Sequence, residues 1–150
     1  MIEIVGNLWD HYPKHIICLT TNGTIKNDGS GVMGRGCALE ATKRFPGIAR
    51  NLGAKVKAWG NCVQWLDECG PNKPSRILAF PVKHNWWETA DIELIRSSAN
   101  ELAEFAEEEE FMHETFILPR PGCGNGKLSW GEVKPIIAFL PNNIHVISWR

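Results

Sequence analysis

The chain has no cysteine pair at C-x-x-C spacing, and its five cysteines, Cys18, Cys37, Cys62, Cys69 and Cys123, are odd in number. That pattern argues against a disulfide framework and against a zinc site, so no metal is expected. Reduced thiols fit a cytoplasmic protein. No stretch reaches the roughly 18 apolar residues of a membrane span, so no membrane partner is expected. The opening Met1-Ile2-Glu3-Ile4-Val5 lacks the basic region and long apolar run of a signal peptide. Charge of one sign is lacking too: 16 Lys and Arg stand against 17 Asp and Glu, a net −1. A protein held to nucleic acid by bulk charge is thereby disfavoured, although a local basic patch is not. There is no P-loop motif, no internal repeat and no linker. At 150 residues one domain, 1–150, is expected, large enough to bury its own core.

What is present alternates between strand and helix patterns. Residues 2–5 read as a short strand closed by Gly6-Asn7. The apolar run 15–20 reads as a strand buried on both faces. Cys37, Ala38, Ala41 and Phe45 recur at helical spacing, and Pro46-Gly47 ends that helix. Residues 48–60 fit neither pattern clearly. Residues 61–66 alternate weakly as a strand, 70–75 form a turn, 76–80 a buried strand, and 81–87 a loop. Thr89 can cap a helix with Asp91 in its first turn and a stripe of Ile92, Ile95, Ala99, Leu102 and Ala106. The acidic run 107–110 is its solvated end. Residues 115–118 and 144–148 are strands. Ser129 with Glu132 makes a capping box, and Pro135 is expected to kink or restart the helix that follows. About six strands with about three helices imply a parallel or mixed sheet covered on both faces.

Four glycines fall in the eight residues Gly29-Ser30-Gly31-Val32-Met33-Gly34-Arg35-Gly36, directly before a helix. Glycines bury no side chain, but they let backbone N–H groups approach a ligand, and a glycine loop feeding a helix is an anion site. Gly29-x-Gly31-x-x-Gly34 matches a dinucleotide fingerprint only formally, because about eight polar residues separate it from the preceding strand. A second loop, Pro119-Arg120-Pro121-Gly122-Cys123-Gly124-Asn125-Gly126-Lys127, also lies between a strand and a helix. Two such loops at the carboxyl ends of strands can clamp a diphosphate from both sides by backbone donors.

These motifs, with Val5-Gly6-Asn7-Leu8, Arg44-Phe45-Pro46-Gly47 and Leu128-Ser129-Trp130, resemble a macro domain. The likeness is greatest to the branch holding the terminal ADP-ribose protein glycohydrolase and the bacterial antitoxin that removes ADP-ribose from DNA. It runs from Ile2 to the C-terminus. The resemblance implies a three-layer α/β/α sandwich with a mixed, mostly parallel six-stranded sheet. It implies ADP-ribose, or an ADP-ribosylated macromolecule, as partner, with no cofactor. By the same likeness Gly31, Val32, Met33, Gly34, Arg35 and Gly36 lie along the diphosphate and distal ribose. Pro121, Gly122, Cys123, Gly124, Asn125, Gly126 and Lys127 close over the diphosphate. Asn7 and Leu8 meet the adenine, and Asn22 the distal ribose.

Two positions depart from the family pattern. Asn7 stands where many macro domains place an Asp, and Gly126 where the glycohydrolase has its catalytic Asp. Lys83 matches the lysine that attacks or polarises the distal ribose at C1″ in this branch, which requires a depressed pKa. His84 is a candidate proton carrier. Cys123 is a nucleophile candidate if backbone donors lower its pKa, and Trp149 a candidate to stack on adenine. Three functions follow: hydrolysis of an ADP-ribosyl bond on protein or nucleic acid, ADP-ribose 1″-phosphate phosphatase, and ADP-ribose binding without catalysis. Lys83 favours the first, and the glycine at 126 favours the last.

Overall fold

The computed structural model describes residues 1–70 and 72–149. Its elements in chain order are β1 (Ile2–Val5), a 3-10 turn (Leu8–His11), β2 (Ile16–Asn22), α1 (Gly36–Arg44), α2 (Ile48–Trp59), β3 (Gln64–Leu66), β4 (Ile77–Lys83), α3 (Ile92–Glu107), β5 (Phe116–Pro119), α4 (Trp130–Ile137) and β6 (Ile144–Ser148). The strands form one sheet in the order β1-β6-β5-β2-β4-β3. Every neighbouring pair is parallel except β3 with β4.

The period-2 geometry of the strands divides the core in two. On β2, Ile16 and Cys18 join Leu78, Phe80, Phe116, Leu118 and the apolar stripe of α3. Ile17 and Leu19 point the other way, to Ile77, Ala79, Ile117 and the inner faces of α1 and α2. Helices therefore cover both faces of a mixed, mostly parallel six-stranded sheet, as a three-layer α/β/α sandwich.

Residues 48–60, which carry no clear pattern, form a full helix. Ile48 and Leu52 are buried and Val56 packs with them, a stripe at four-residue spacing interrupted by Lys and Arg. The α3 cap is Asp91 rather than Thr89: the Asp91 carboxylate accepts from the Glu93 N–H at 2.8 Å. Helix α4 runs through Pro135 without restarting. Val133 and Ile137 are fully buried on either side of it, so packing outweighs the one lost backbone bond. The turn expected over 70–75 includes Pro71, which lies outside the described residues.

Strand β4 is longer than its sequence pattern and continues through Pro81 to Lys83. Proline cannot donate to the ladder, and the register shifts there: Thr21 pairs with Pro81, but Asn22 pairs with Lys83. This bulge sets Lys83 beside Asn22 at the carboxyl end of the sheet. At that edge the chain leaves β2 toward α1 and α2 on one face, and leaves β5 toward α4 on the other. β2 and β5 are neighbours, so a crevice opens between their loops, the position where open α/β sheets hold ligands.

Candidate functional site

The crevice is a cleft of about 1300 Å³, walled by the two glycine loops, the ends of β2 and β4 and the turn after β4. In the first loop the amides of Met33, Gly34, Arg35, Gly36, Cys37 and Ala38 donate to no other group among the described residues. Arg35 occupies the N-cap of α1 and supplies no side-chain acceptor, so the first turn of that helix faces the cleft uncapped. Gly36 has φ +59°, and a side-chain carbon there would stand 3.4 Å from the Asn125 amide nitrogen. The two loops thus meet across the cleft. Asn22 fixes the first loop: its Nδ2 donates to the Val32 carbonyl at 3.0 Å, and its Oδ1 accepts from the Thr24 N–H at 3.0 Å.

The second loop is tied internally by Cys123 N–H to Arg120 O, Lys127 N–H to Gly124 O and Leu128 N–H to Gly122 O. Its Gly124, Asn125 and Gly126 amides make no such bond among the described residues. Lys127 holds φ +64°, the single positive value outside glycine among the described residues, and backbone strain of this kind collects at ligand clamps. A side-chain carbon at Gly126 would lie 2.5 Å from the Gly122 carbonyl oxygen and 2.7 Å from the Ala90 methyl. The loop therefore has no space for an acid at this position.

Lys83 lies at the cleft end with its Nζ donating to the Trp86 carbonyl at 3.3 Å. No carboxylate pairs with it among the described residues. Burial, then the nearby charges of Arg35 and Lys127, hold its ammonium below the ordinary lysine pKa.

Of the residues singled out from the sequence, Leu8, Asn22, Lys83, Trp149 and the stretches 32–36 and 122–127 line this one cleft. Gly31 does not: its N–H is spent on the Ala49 carbonyl at 2.7 Å, so it anchors the loop to α2. Pro121 is buried beside the cleft and has no N–H to offer. Asn7 caps the 3-10 turn, accepting from the Trp9 N–H at 3.0 Å, and shares a shallow depression with Trp149 next to the cleft. His84 is outside the lining and is bound through Nε2 to the Asp91 carboxylate at 2.8 Å, which makes it a strut for the turn. The Cys123 thiol donates to the Pro121 carbonyl at 3.5 Å, and burial raises its pKa, the opposite of what a nucleophile needs.

The loop expected over 81–87 holds more of the site than His84 and Lys83. Trp86, Trp87 and Glu88 all line the cleft, and the signal available was two adjacent indoles in a polar loop. Thr21, which no sequence motif marks, is buried at the end of β2 with its hydroxyl unpartnered on the cleft wall. Among the described residues no three His, Cys, Asp or Glu side chains gather as a metal site.

No family model matches the chain. A DNA ADP-ribosyl glycohydrolase of Thermus aquaticus is 34% identical over 110 residues, covering 69% of this chain and 29% of that relative. The chain thus spans about three tenths of the curated relative it matches. The macrodomain of Thermus aquaticus DarG superposes with a TM-score of 0.75 at 26% identity, covering 99% of this chain and 97% of that one. Thermosipho africanus DarTG, solved in complex with ADP-ribose, gives a TM-score of 0.75 at 19% identity over 97% of this chain and 41% of that one. The macrodomain of Mycobacterium tuberculosis DarG gives 0.73 at 23% identity over 96% of each. The doubly covered mixed sheet, the paired glycine loops and these likenesses agree: the chain has a macrodomain fold closely related to the DarG and Thermus aquaticus DNA ADP-ribosyl glycohydrolase branch.

Proposed function

We propose that the cleft binds ADP-ribose and that the chain hydrolyses an ADP-ribosyl bond, with Lys83 acting at C1″ of the distal ribose. The observation carrying this reading is one lysine, without a carboxylate partner among the described residues, beside two facing loops whose unspent amides suit a diphosphate. The name of the Thermus aquaticus relative and the ADP-ribose complex of the Thermosipho africanus protein support it. The relative's name favours a bond to nucleic acid over one to protein.

In this reading the neutral Lys83 amine attacks C1″. A bond forms between Nζ and C1″, the bond to the macromolecule breaks, and the leaving group takes up a proton. Water then replaces the amine at C1″ and frees ADP-ribose. Depression of the lysine pKa enlarges the neutral fraction near neutrality. The rate should rise with pH, with an apparent pKa below the ordinary lysine value of 10.5, because protonation removes the attacking lone pair.

Thermal unfolding with and without ADP-ribose tests binding. A hundredfold excess over Kd stabilises the native state by about 2.7 kcal/mol, and an unmoved midpoint overturns the reading. Turnover of ADP-ribosylated DNA by the wild type and Lys83→Ala tests the chemistry. The variant should keep ADP-ribose binding and lose at least about 100-fold in kcat. If no substrate is turned over by the wild type while ADP-ribose still binds, the domain is a binding module, the alternative that the crowded Gly126 favours.

A further inference from the structure

Asparagine stands directly before glycine twice in the chain, at Asn22-Gly23 and Asn125-Gly126. This dipeptide is prone to spontaneous deamidation, because the glycine carries no side chain to hinder attack by its own nitrogen. The reaction needs an asparagine side chain free to turn and a following amide not committed to another acceptor. The structure denies both at Asn22 and leaves both at Asn125.

Asn22 is bound at both ends of its carboxamide, Nδ2 to the Val32 carbonyl and Oδ1 to the Thr24 N–H, each at 3.0 Å. The Gly23 N–H donates to the His84 carbonyl at 3.1 Å. Asn125 is exposed at the tip of the second loop, and among the described residues neither its carboxamide nor the Gly126 N–H makes a hydrogen bond. Gly126 is held on its far side, where its carbonyl accepts from the Ala90 N–H at 3.0 Å, but ring closure uses its nitrogen alone.

The position of the carboxamide gives the reaction a consequence. Asn125 Nδ2 stands 3.4 Å from where a side-chain carbon on Gly36 would lie, at the uncapped N-terminus of α1. That nitrogen is the atom deamidation removes. A carboxylate in its place is a tethered anion beside the unspent amides of α1, where it competes with a ligand's phosphates and repels them.

We propose that Asn125-Gly126 is a site of spontaneous deamidation, and that the acid formed there weakens the cleft's hold on ADP-ribose. The Gly126 nitrogen gives up its proton and bonds to Asn125 Cγ. The bond from Cγ to Nδ2 breaks, and ammonia leaves with a proton. Water then opens the cyclic imide. Opening at Cγ leaves an aspartate. Opening at the main-chain carbonyl leaves an isoaspartate, whose main chain runs through Cβ and Cγ and is longer by a carbon. Water is consumed and ammonia released, so no oxidant or reductant is needed. The effect on affinity rests on the ADP-ribose reading, whereas the deamidation itself does not.

The whole chain is aged in warm, mildly alkaline buffer, both folded and in denaturant, and its peptides are mapped by mass spectrometry. In the folded protein Asn125 should convert at least about tenfold faster than Asn22, and denaturant should bring the two rates within about threefold by removing the bonds at Asn22. Equal rates in the folded protein, faster conversion at Asn22, or an Asn125 that converts only when unfolded overturns the site. Calorimetry on the deamidated forms, separated by charge, should show ADP-ribose bound about tenfold more weakly than by fresh protein. Asn125→Gln, whose longer side chain disfavours ring closure, should lose no affinity on ageing relative to its own fresh sample. Unchanged affinity in the deamidated forms, or an equal loss in aged Asn125→Gln, overturns the effect. Fresh protein that fails to bind ADP-ribose overturns the ADP-ribose reading and with it the effect on affinity, while the peptide map still decides the site.

Discussion

The two glycine loops look alike in sequence, and the structure gives them opposite local designs. Both follow a parallel strand and both open a helix at the same edge of the sheet. The first ends on Arg35, which caps nothing, and the amides from Met33 through Ala38 remain unspent among the described residues. The second closes on itself through three backbone bonds and delivers the chain to a helix that starts on a capping box of Ser129 and Glu132. In the capping box the Ser129 hydroxyl accepts from the Glu132 N–H at 3.2 Å, and the Glu132 carboxylate accepts from the Ser129 N–H at 2.8 Å. An uncapped helix end inside a cleft leaves stabilisation unclaimed, which a ligand anion can supply. A capped one has less to offer: in α4 the Trp130 and Gly131 amides alone of the first turn lack an acceptor among the described residues. The first loop therefore leaves its helix N-terminus open to an anion, whereas the second presents chiefly its three tip amides.

The largest effect expected from this contrast is at Gly126. Gly126→Ala drives a methyl to within 2.5 Å of the Gly122 carbonyl and 2.7 Å of Ala90, and both are backbone or fixed core atoms. Denaturant unfolding should show a loss of about 1–3 kcal/mol, and ADP-ribose affinity should fall with it as the loop reshapes. Gly126→Asp should do the same and gain no activity. A stable Gly126→Asp protein with faster turnover would show that the second loop is adaptable and would erase the distinction between the loops.

The next effect is smaller but has two signs. Arg35→Asp supplies the missing cap: a carboxylate at the N-cap takes the N2 or N3 amide and meets the positive end of α1. The free protein should become more stable by about 0.5–2 kcal/mol in thermal or urea unfolding. Calorimetry should show ADP-ribose binding weakened about tenfold or more, because the new side chain occupies amides meant for the ligand and repels its phosphates. Stability and affinity moving in the same direction would mean that α1 does not serve the ligand.

Much of the frame was legible in the sequence, and the reasons differ by element. The buried strands β2, β4 and β5 are short apolar runs between turn residues, and α3 carries an uninterrupted stripe, so pattern alone finds them. Helix α2 escapes because its narrow stripe of Ile48, Leu52 and Val56 is crossed by Arg50, Lys55 and Lys57. The extension of β4 escapes because Pro81 reads as a stop, and only the bulge in pairing with β2 lets the strand pass it. That extension decides where Lys83 stands. Within the site, glycine spacing identifies both loops but cannot say which amides are already spent. Gly31 looks like a ligand contact in one dimension, yet its amide is spent on the Ala49 carbonyl. His84 likewise turns toward Asp91, a partner seven residues on that no local pattern announces.

The smallest expected effect concerns the capped helix, and it completes the comparison from the other side. Ser129→Ala removes one of the two reciprocal bonds of the box and leaves the Glu132 amide without its side-chain acceptor. Such caps contribute about 1 kcal/mol, so the thermal midpoint should fall by several degrees. The cap lies on the wall of the cleft, yet its bonds run within α4, so ADP-ribose affinity should stay within about twofold. A Ser129→Ala protein with unchanged stability and weakened binding would make the hydroxyl a ligand contact. The second helix would then join the first as part of the clamp, and the asymmetry argued from the caps would be wrong.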